Sequence, residues 1–98
     1  MRRLLMSTTP VTADGAWRLS GSVALRPEPF GALAYDFSTR RLSFLKTPTL
    51  VDVVRRLGDS PTVGIALTDA RVADDERPAY IAALAGLASG GLIEEQTP

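Results

Sequence analysis

Apolar and polar positions alternate most clearly in the run FGALAYDF, Phe30–Phe37. Leu33, Tyr35 and Phe37 share one face, whereas Ala32, Ala34 and Asp36 share the other. A period of two with aromatic enrichment is typical of a β-strand. This segment therefore predicts the middle strand of a small sheet.

Two more predicted strands flank it. Ser22–Arg26 precedes it and is expected to end at RPEP, because its prolines lack the backbone N–H that pairing needs, while each biases the residue before it towards extended geometry. Arg41–Lys46 follows the turn STRR and completes a hairpin, with Leu42 and Phe44 on one face. We expect Arg41–Lys46 to be an edge strand, since charged residues at its two ends discourage self-pairing.

The hydrophobic period then changes to that of a helix. Apolar residues stand at i, i+3, i+4 and i+7, namely Leu50, Val53, Val54 and Leu57. Thr47 is the expected N-cap, Pro48 the first helical residue, and Gly58 the end.

Two further helices follow. The second is predicted over Pro61–Ala70 with Ser60 as its cap, and the third from Asp74 or Asp75 to about Ser89, where two glycines stop it. The order predicts an α+β domain with a three-stranded antiparallel sheet followed by three helices. This is the outline of a winged helix-turn-helix.

At 98 residues, the chain has the length of one domain. Residues 1–20 lack a regular period at their start and are predicted to be a flexible N-terminal arm, with the domain at 21–98. LIEE, near the other end, is predicted to be a short closing strand or an extended tail.

The third predicted helix carries no charge between Arg77 and Glu94. A surface helix normally keeps a polar face. In one interpretation its alanines let it pack closely on both sides, as a sandwiched core helix. In the other, Tyr80, Ala83 and Leu87 form an open apolar groove beside the face of Ile81 and Leu84.

The composition excludes several classes of catalytic group and metal site. The chain has no Cys and no His, which removes thiolate nucleophiles, imidazole bases and Cys/His metal sites. No phosphate-binding glycine motif is present. The sequence therefore predicts no enzyme and no cofactor or metal. It also shows no signal peptide and no membrane span, which suits a cytoplasmic protein.

Charge is unevenly divided along a chain of zero net charge. Residues 1–57 hold nine basic and four acidic residues, and residues 58–98 hold two basic and seven acidic ones. The basic half could steer an acidic partner, or the division could have no purpose.

Sequence-specific DNA binding is the alternative function that the helical outline raises. A recognition helix needs Arg, Lys, Asn or Gln to read base edges, and the third helix offers none from Pro78 to Ser89. The basic residues lie instead on the hairpin and the first helix: Arg40, Arg41, Lys46, Arg55 and Arg56. No nucleic-acid partner is therefore expected.

The run RPEPFGALAYDFSTRRLSFLK closely resembles a family of mycofactocin-system peptide chaperones. These are small members of the PqqD-like group, the RiPP recognition elements of ribosomal-peptide maturation clusters. The resemblance covers about residues 23–95. LKTPT stands where the wider group often has a Gly-containing turn, which favours the mycofactocin branch.

The resemblance implies a non-catalytic protein that binds a ribosomal precursor peptide and presents it to a radical S-adenosylmethionine maturase. It implies that the peptide adds as a strand beside Arg41–Lys46, in a cleft against the third helix. Carried onto this chain, the peptide-binding residues are Arg40, Arg41, Leu42, Ser43, Phe44, Leu45, Lys46, Tyr80, Ala83, Leu84 and Leu87. A purely structural subunit of the maturase is a third possibility, and the resemblance leaves the oligomeric state open.

Overall fold

The computed structural model describes residues 10–96. Five strands and three helices follow one another along this part of the chain. The strands are β1 (Trp17–Leu19), β2 (Val23–Glu28), β3 (Gly31–Asp36), β4 (Arg41–Leu45) and β5 (Ile93–Glu95). The helices are α1 (Pro48–Leu57), α2 (Val63–Asp69) and α3 (Arg77–Ser89).

Strands β2, β3 and β4 form an antiparallel sheet in that order, and the three helices follow it in the chain. The predicted α+β class is therefore confirmed. A second antiparallel sheet, which the sequence did not predict as a unit, pairs β1 with β5.

The inner face of the three-stranded sheet is its small-residue face. Ala32 and Ala34 of β3 are almost fully buried, whereas Leu33 and Tyr35, which alternate with them, are only half-buried on the outer face. Helix α1 packs against β3, and alanine side chains let a helix approach a sheet closely. The core is thus built from aliphatic helix residues against alanines, with Val53, Val54, Leu57 and Leu84 fully buried.

Helix α1 has the predicted bounds. Thr47 Oγ1 accepts a hydrogen bond from the Leu50 amide at 3.1 Å, Pro48 is the first helical residue, and Gly58 follows the last. On the outer side of the helix Asp52 pairs with Arg56 at 2.9 Å, an i,i+4 bridge close to solvent.

Strand β2 is longer than predicted. It continues through Pro27 to Glu28 instead of ending at Arg26. The reason is its place at the edge of the sheet, where a proline nitrogen can face away from the neighbouring strand.

The starts of the other two helices also differ from the prediction. Helix α2 begins at Val63, two residues later than Pro61, because Thr62 rather than Ser60 supplies the cap: Thr62 Oγ1 accepts from the Ile65 amide at 3.2 Å. The acidic residues expected to cap α3 form a separate 3-10 turn, Asp74–Glu76, and α3 itself begins at Arg77 with no side-chain cap.

The prediction of a flexible arm over residues 1–20 is corrected for residues 10–20. Val11 and Trp17 are core residues with 7% and 5% of their surface exposed, and β1 pairs with β5. The signal that was overlooked is the single tryptophan of the chain, since aromatic rings contribute large buried areas. Residues 1–9 of the predicted arm lie outside the described residues.

Candidate functional site

The free edge of β4 is the first component of the site. In the described chain β4 pairs with β3 on one side only. Its backbone donors and acceptors on the other side are therefore not used by a strand of this sheet. Along β4, Leu45 is buried, Ser43 is half-buried, and Leu42 and Phe44 are more than half exposed.

A cleft of about 200 Å³ lies at the end of this strand. One wall is the start of α1 and the other is the N-terminal half of α3. Its lining is mostly apolar and consists of Thr47, Leu50, Ala79, Tyr80 and Ala83. Thr47 follows the end of β4 by two residues, so the cleft adjoins this end of the strand.

Helix α3 exposes an apolar face in the described structure. Leu84 is its one fully buried residue, while Ala79, Ala82, Ala83 and Ala85 are exposed. The described part of the chain therefore covers α3 on one side only. This contradicts the interpretation of α3 as a core helix covered on both sides. Alanine and glycine keep the apolar area small enough to be tolerated in water.

The structure separates the four residues of α3 that were predicted for the groove. Tyr80 and Ala83 line the cleft. Leu84 is 0% exposed in the core, so its side chain supports the helix from inside and does not reach a ligand at the surface. Leu87 is half-buried and packs against the cluster of Val23, Ala34 and Leu92. The predicted facing of Leu84 is therefore wrong, because spacing along a helix does not show which of its faces the core will cover.

The predicted basic residues lie around the strand rather than in the cleft. Arg40, Arg41 and Lys46 are all exposed. Arg40 has a left-handed backbone, with φ of 62°, and its amide donates to the Asp36 carbonyl at 2.7 Å, which closes the turn between β3 and β4. Lys46 borders a second depression, of about 350 Å³, together with Phe30 and Phe44.

Asp36 fixes the turn that carries these basic residues. Its Oδ1 accepts hydrogen bonds from the Ser38 hydroxyl at 2.7 Å, the Ser22 hydroxyl at 2.9 Å and the Ser38 amide at 2.9 Å. The Ser38 and Ser22 hydroxyls stabilise the carboxylate and lower the pKa of Asp36 to about 2. Asp36 as a whole residue is 3% exposed, and its carboxylate serves the turn, so it is not a candidate for acid–base chemistry.

Three cleft residues were not among the predicted site residues: Thr47, Leu50 and Ala79. Thr47 and Leu50 were assigned to the cap and the buried stripe of α1, and both assignments hold, since Thr47 caps the helix and Leu50 packs against the core. Leu50 is only half-buried, however, because it is the first residue of the stripe and stands at the rim. Ala79 could have been found from its i,i+4 relation to Ala83.

Another cavity, of about 620 Å³, lies away from these residues near the C-terminal end of α1. Arg18 stands at this cavity and is already paired with Glu94 at 2.6 Å. Within residues 10–96 no cluster of acidic side chains is arranged to hold a metal ion. None of the helices in this range is long and apolar enough to cross a membrane.

Comparison with known proteins gives one consistent result. The sequence model of the peptide chaperone MftB family matches residues 16–94. A peptide chaperone MftB of Mycolicibacterium smegmatis is 49% identical over 85 residues, which cover 87% of this chain and 83% of the relative. The protein of the same name from Mycobacterium ulcerans is 46% identical over 105 residues, covering 98% and 96%. No solved structure shows a significant match.

Proposed function

Because this chain belongs to the peptide chaperone MftB family of the mycofactocin system, we propose that it binds the system's ribosomal precursor peptide by strand addition at β4 and presents it to a radical S-adenosylmethionine maturase. In this proposal the protein supplies no catalytic group or cofactor of its own. It acts in the cytoplasm, where the precursor peptide is synthesised.

One observation supports the proposal: a strand with a free edge ends beside an apolar cleft, and one wall of this cleft is a helix with no charged side chain after Arg77. A peptide at β4 can pair its backbone with the strand. Main-chain hydrogen bonds then give affinity, and pockets for alternate side chains give specificity.

Strand geometry determines which peptide side chains meet which surface. Successive side chains of an added strand point to opposite faces of the sheet. Those on the inner side approach Tyr80 and Ala83 in the cleft, and those on the outer side lie beside Leu42 and Phe44. Apolar peptide residues at alternate positions therefore fit the inner side best.

The surface of α3 argues against the alternative of DNA binding. Its exposed face is built from alanines, which cannot donate to base edges or phosphates. Arg77, the one basic residue of the helix, is held by its own chain: Nη2 donates to the Thr68 hydroxyl at 2.5 Å and Nη1 to the Gly64 carbonyl at 3.4 Å.

The proposal is tested by titrating ¹⁵N-labelled full-length protein with the precursor peptide and following the amide resonances. We expect the largest shifts at Arg41–Lys46 and at Ala79–Ala83, with slow hydrogen exchange appearing along β4 when peptide is bound. Resonances of α2 should stay unchanged, because α2 lines neither the strand edge nor the cleft.

Two results would contradict the proposal. The first is an unchanged spectrum at a large excess of peptide. The second is a response to duplex DNA that falls steeply with salt, which would indicate phosphate contacts instead. Tight binding to the maturase with no affinity for free peptide would favour the role of a purely structural maturase subunit.

A further inference from the structure

The outer face of the three-stranded sheet exposes most of the aromatic side chains of the chain. All three phenylalanines lie here: Phe30 is 41% exposed, Phe37 63% and Phe44 61%. Aromatic rings of this size normally dominate cores and interfaces. In this protein the core is aliphatic apart from Trp17, and the phenylalanines face solvent.

These rings form one continuous surface, which we call the aromatic face. The register places Leu33 opposite Phe44 and Tyr35 opposite Leu42. Two turns add the rest: the Phe30 ring packs edge-on against Phe44 with centroids 5.9 Å apart, and Phe37 packs against Tyr35 at 4.9 Å. The aromatic face is defined by Phe30, Leu33, Tyr35, Phe37, Leu42 and Phe44.

The border of the aromatic face is basic. Arg26 projects from β2 with 78% of its side chain exposed, Arg40 is exposed in the turn before β4, and Lys46 is exposed just after β4, beside Phe30 and Phe44. Of the two carboxylates nearby, Glu28 pairs with Arg26 at 2.9 Å and Asp36 is buried under the turn. An apolar centre inside a ring of cations is the arrangement of a protein interface.

This charge pattern selects among the possible occupants. A second copy docked about a two-fold axis, the commonest symmetry, would bring the same cations together across the contact. The segment before residue 10 carries Arg2 and Arg3 and no acidic residue, so it repels the same border. A different protein, with an apolar patch bordered by carboxylates, complements the aromatic face in both shape and charge.

We infer that the aromatic face docks the enzyme that receives the peptide, through an apolar patch with an acidic rim on that enzyme. The inference rests on the proposed function. Outward side chains of a peptide added at β4 would extend the row formed by Leu42 and Phe44. The docked enzyme therefore contacts chaperone and peptide side by side, and it holds the peptide without displacing it from the cleft on the inner side.

The test uses the double variant Phe30→Ser, Phe37→Ser in the full-length protein. Both positions are exposed turn residues that lie outside the proposed peptide-binding set, so neither the core nor the β4 edge loses a side chain. The matched control is Ile65→Ser on α2, which removes a comparably exposed apolar side chain (43%) elsewhere. Binding to the radical S-adenosylmethionine maturase of the mycofactocin system is measured by biolayer interferometry, and peptide affinity by calorimetry.

We expect the double variant to bind the maturase at least about tenfold more weakly, as for interface anchors, with peptide affinity within about twofold of the wild type. Ile65→Ser should leave both affinities unchanged. Equal maturase binding by the double variant and the wild type, or no maturase binding by the wild type, would overturn the inference. A wild-type dimer in sedimentation that the double variant abolishes would also overturn it, by making a second copy the occupant.

The two proposals fail separately in this design. If the proposed function is wrong, the wild type will not bind the peptide in calorimetry. If only the inference about the aromatic face is wrong, the double variant will bind the maturase as the wild type does, and the peptide will still bind.

Discussion

Two neighbouring alanines of α3 provide a direct test of the cleft at the scale of single residues. Ala83 lines the cleft and Ala82 does not, although both are exposed and stand in the same helix. Ala83→Asp places a charge where an apolar peptide side chain is desolvated, so we expect peptide affinity to fall at least about tenfold. Ala82→Asp has the same helix propensity cost and should leave affinity near the wild-type value.

Calorimetric titration with the precursor peptide measures both variants, and urea unfolding confirms that both are folded. Equal affinities for the two variants would mean that the peptide does not enter this cleft. Leu84 is unsuitable for such a test, because a charge at this fully buried position would unfold the domain rather than report on binding.

A second residue-scale prediction concerns pH. Because the Ser38 and Ser22 hydroxyls lower the pKa of Asp36 from 3.8 to about 2, the folded state favours the ionised carboxylate. This contribution to stability is fully present above the unfolded pKa of 3.8 and is lost as pH falls through about 2. Asp36→Asn should therefore destabilise the protein at neutral pH, with the difference from the wild type shrinking below pH 4.

Urea unfolding followed by Trp17 fluorescence at several pH values measures this effect, since Trp17 is buried and is the one tryptophan of the chain. Asp59→Asn is the control, at an exposed position in the turn after α1. If the difference in unfolding free energy between Asp36→Asn and the wild type stayed constant from pH 7 to pH 2, the hydrogen bonds to the carboxylate would not act as described.

At the scale of elements, a threonine side chain caps both α1 and α2. Comparing variants of the two threonines distinguishes an effect on stability from an effect on peptide binding. Thr47 and Thr62 each cap a helix through a side-chain oxygen. Changing either to alanine should cost about 1 kcal/mol of unfolding free energy. Only Thr47 lines the cleft, so Thr47→Ala should also change peptide affinity, whereas Thr62→Ala should leave it as it is.

Chemical denaturation measures the unfolding free energy of each variant, and peptide titration measures its affinity for the peptide. If Thr62→Ala altered affinity as much as Thr47→Ala, the change would follow from lost stability and not from the cleft.

The sequence predicts elements well where the signals are local. The threonine, the proline and the glycine around α1 lie within a few residues of the helix they define, and its bounds came out as predicted. The start of α2 was wrong because Ser60 and Thr62 are both chemically able to cap, and only the chain's path into α2 selects between them. The period of β3 was equally clear, but a period alone does not say which face the helices will cover.

Pairing between distant segments was the part that the sequence did not show. Strands β1 and β5 have three residues each, too few for a visible alternation, and they are more than 70 residues apart in the sequence. For the same reason Thr47 and Leu50 were not predicted to line the cleft, since their contribution depends on how α1 and α3 pack together.

At the scale of the whole molecule, the basic half of the chain should act on the rate of peptide association. Arg40 and Arg71 are both exposed and both have a left-handed backbone, with φ of 62° and 64°, but only Arg40 adjoins β4. If the precursor peptide is acidic near the site, Arg40→Gln should slow association a few-fold at low salt, and Arg71→Gln should not.

Stopped-flow association at increasing salt measures this difference. It should vanish near 1 M salt, where the screening length falls to about 3 Å. A change in dissociation rate alone would instead assign Arg40 a direct contact with the peptide.

The pairing of β1 with β5 has a consequence for how this domain can be joined to other proteins. Trp17 lies opposite Glu95, so the first and last strands of the described domain are neighbours on one small sheet. Residues 10–16 precede this pair and also belong to the domain, since Val11 is buried in the core. Directly opposed residues of an antiparallel pair have Cα atoms about 5 Å apart. If the domain is inserted into a surface loop of a host protein, or circularly permuted, the junction therefore has to lie before residue 10 rather than at β1, so that Val11 keeps its place in the core.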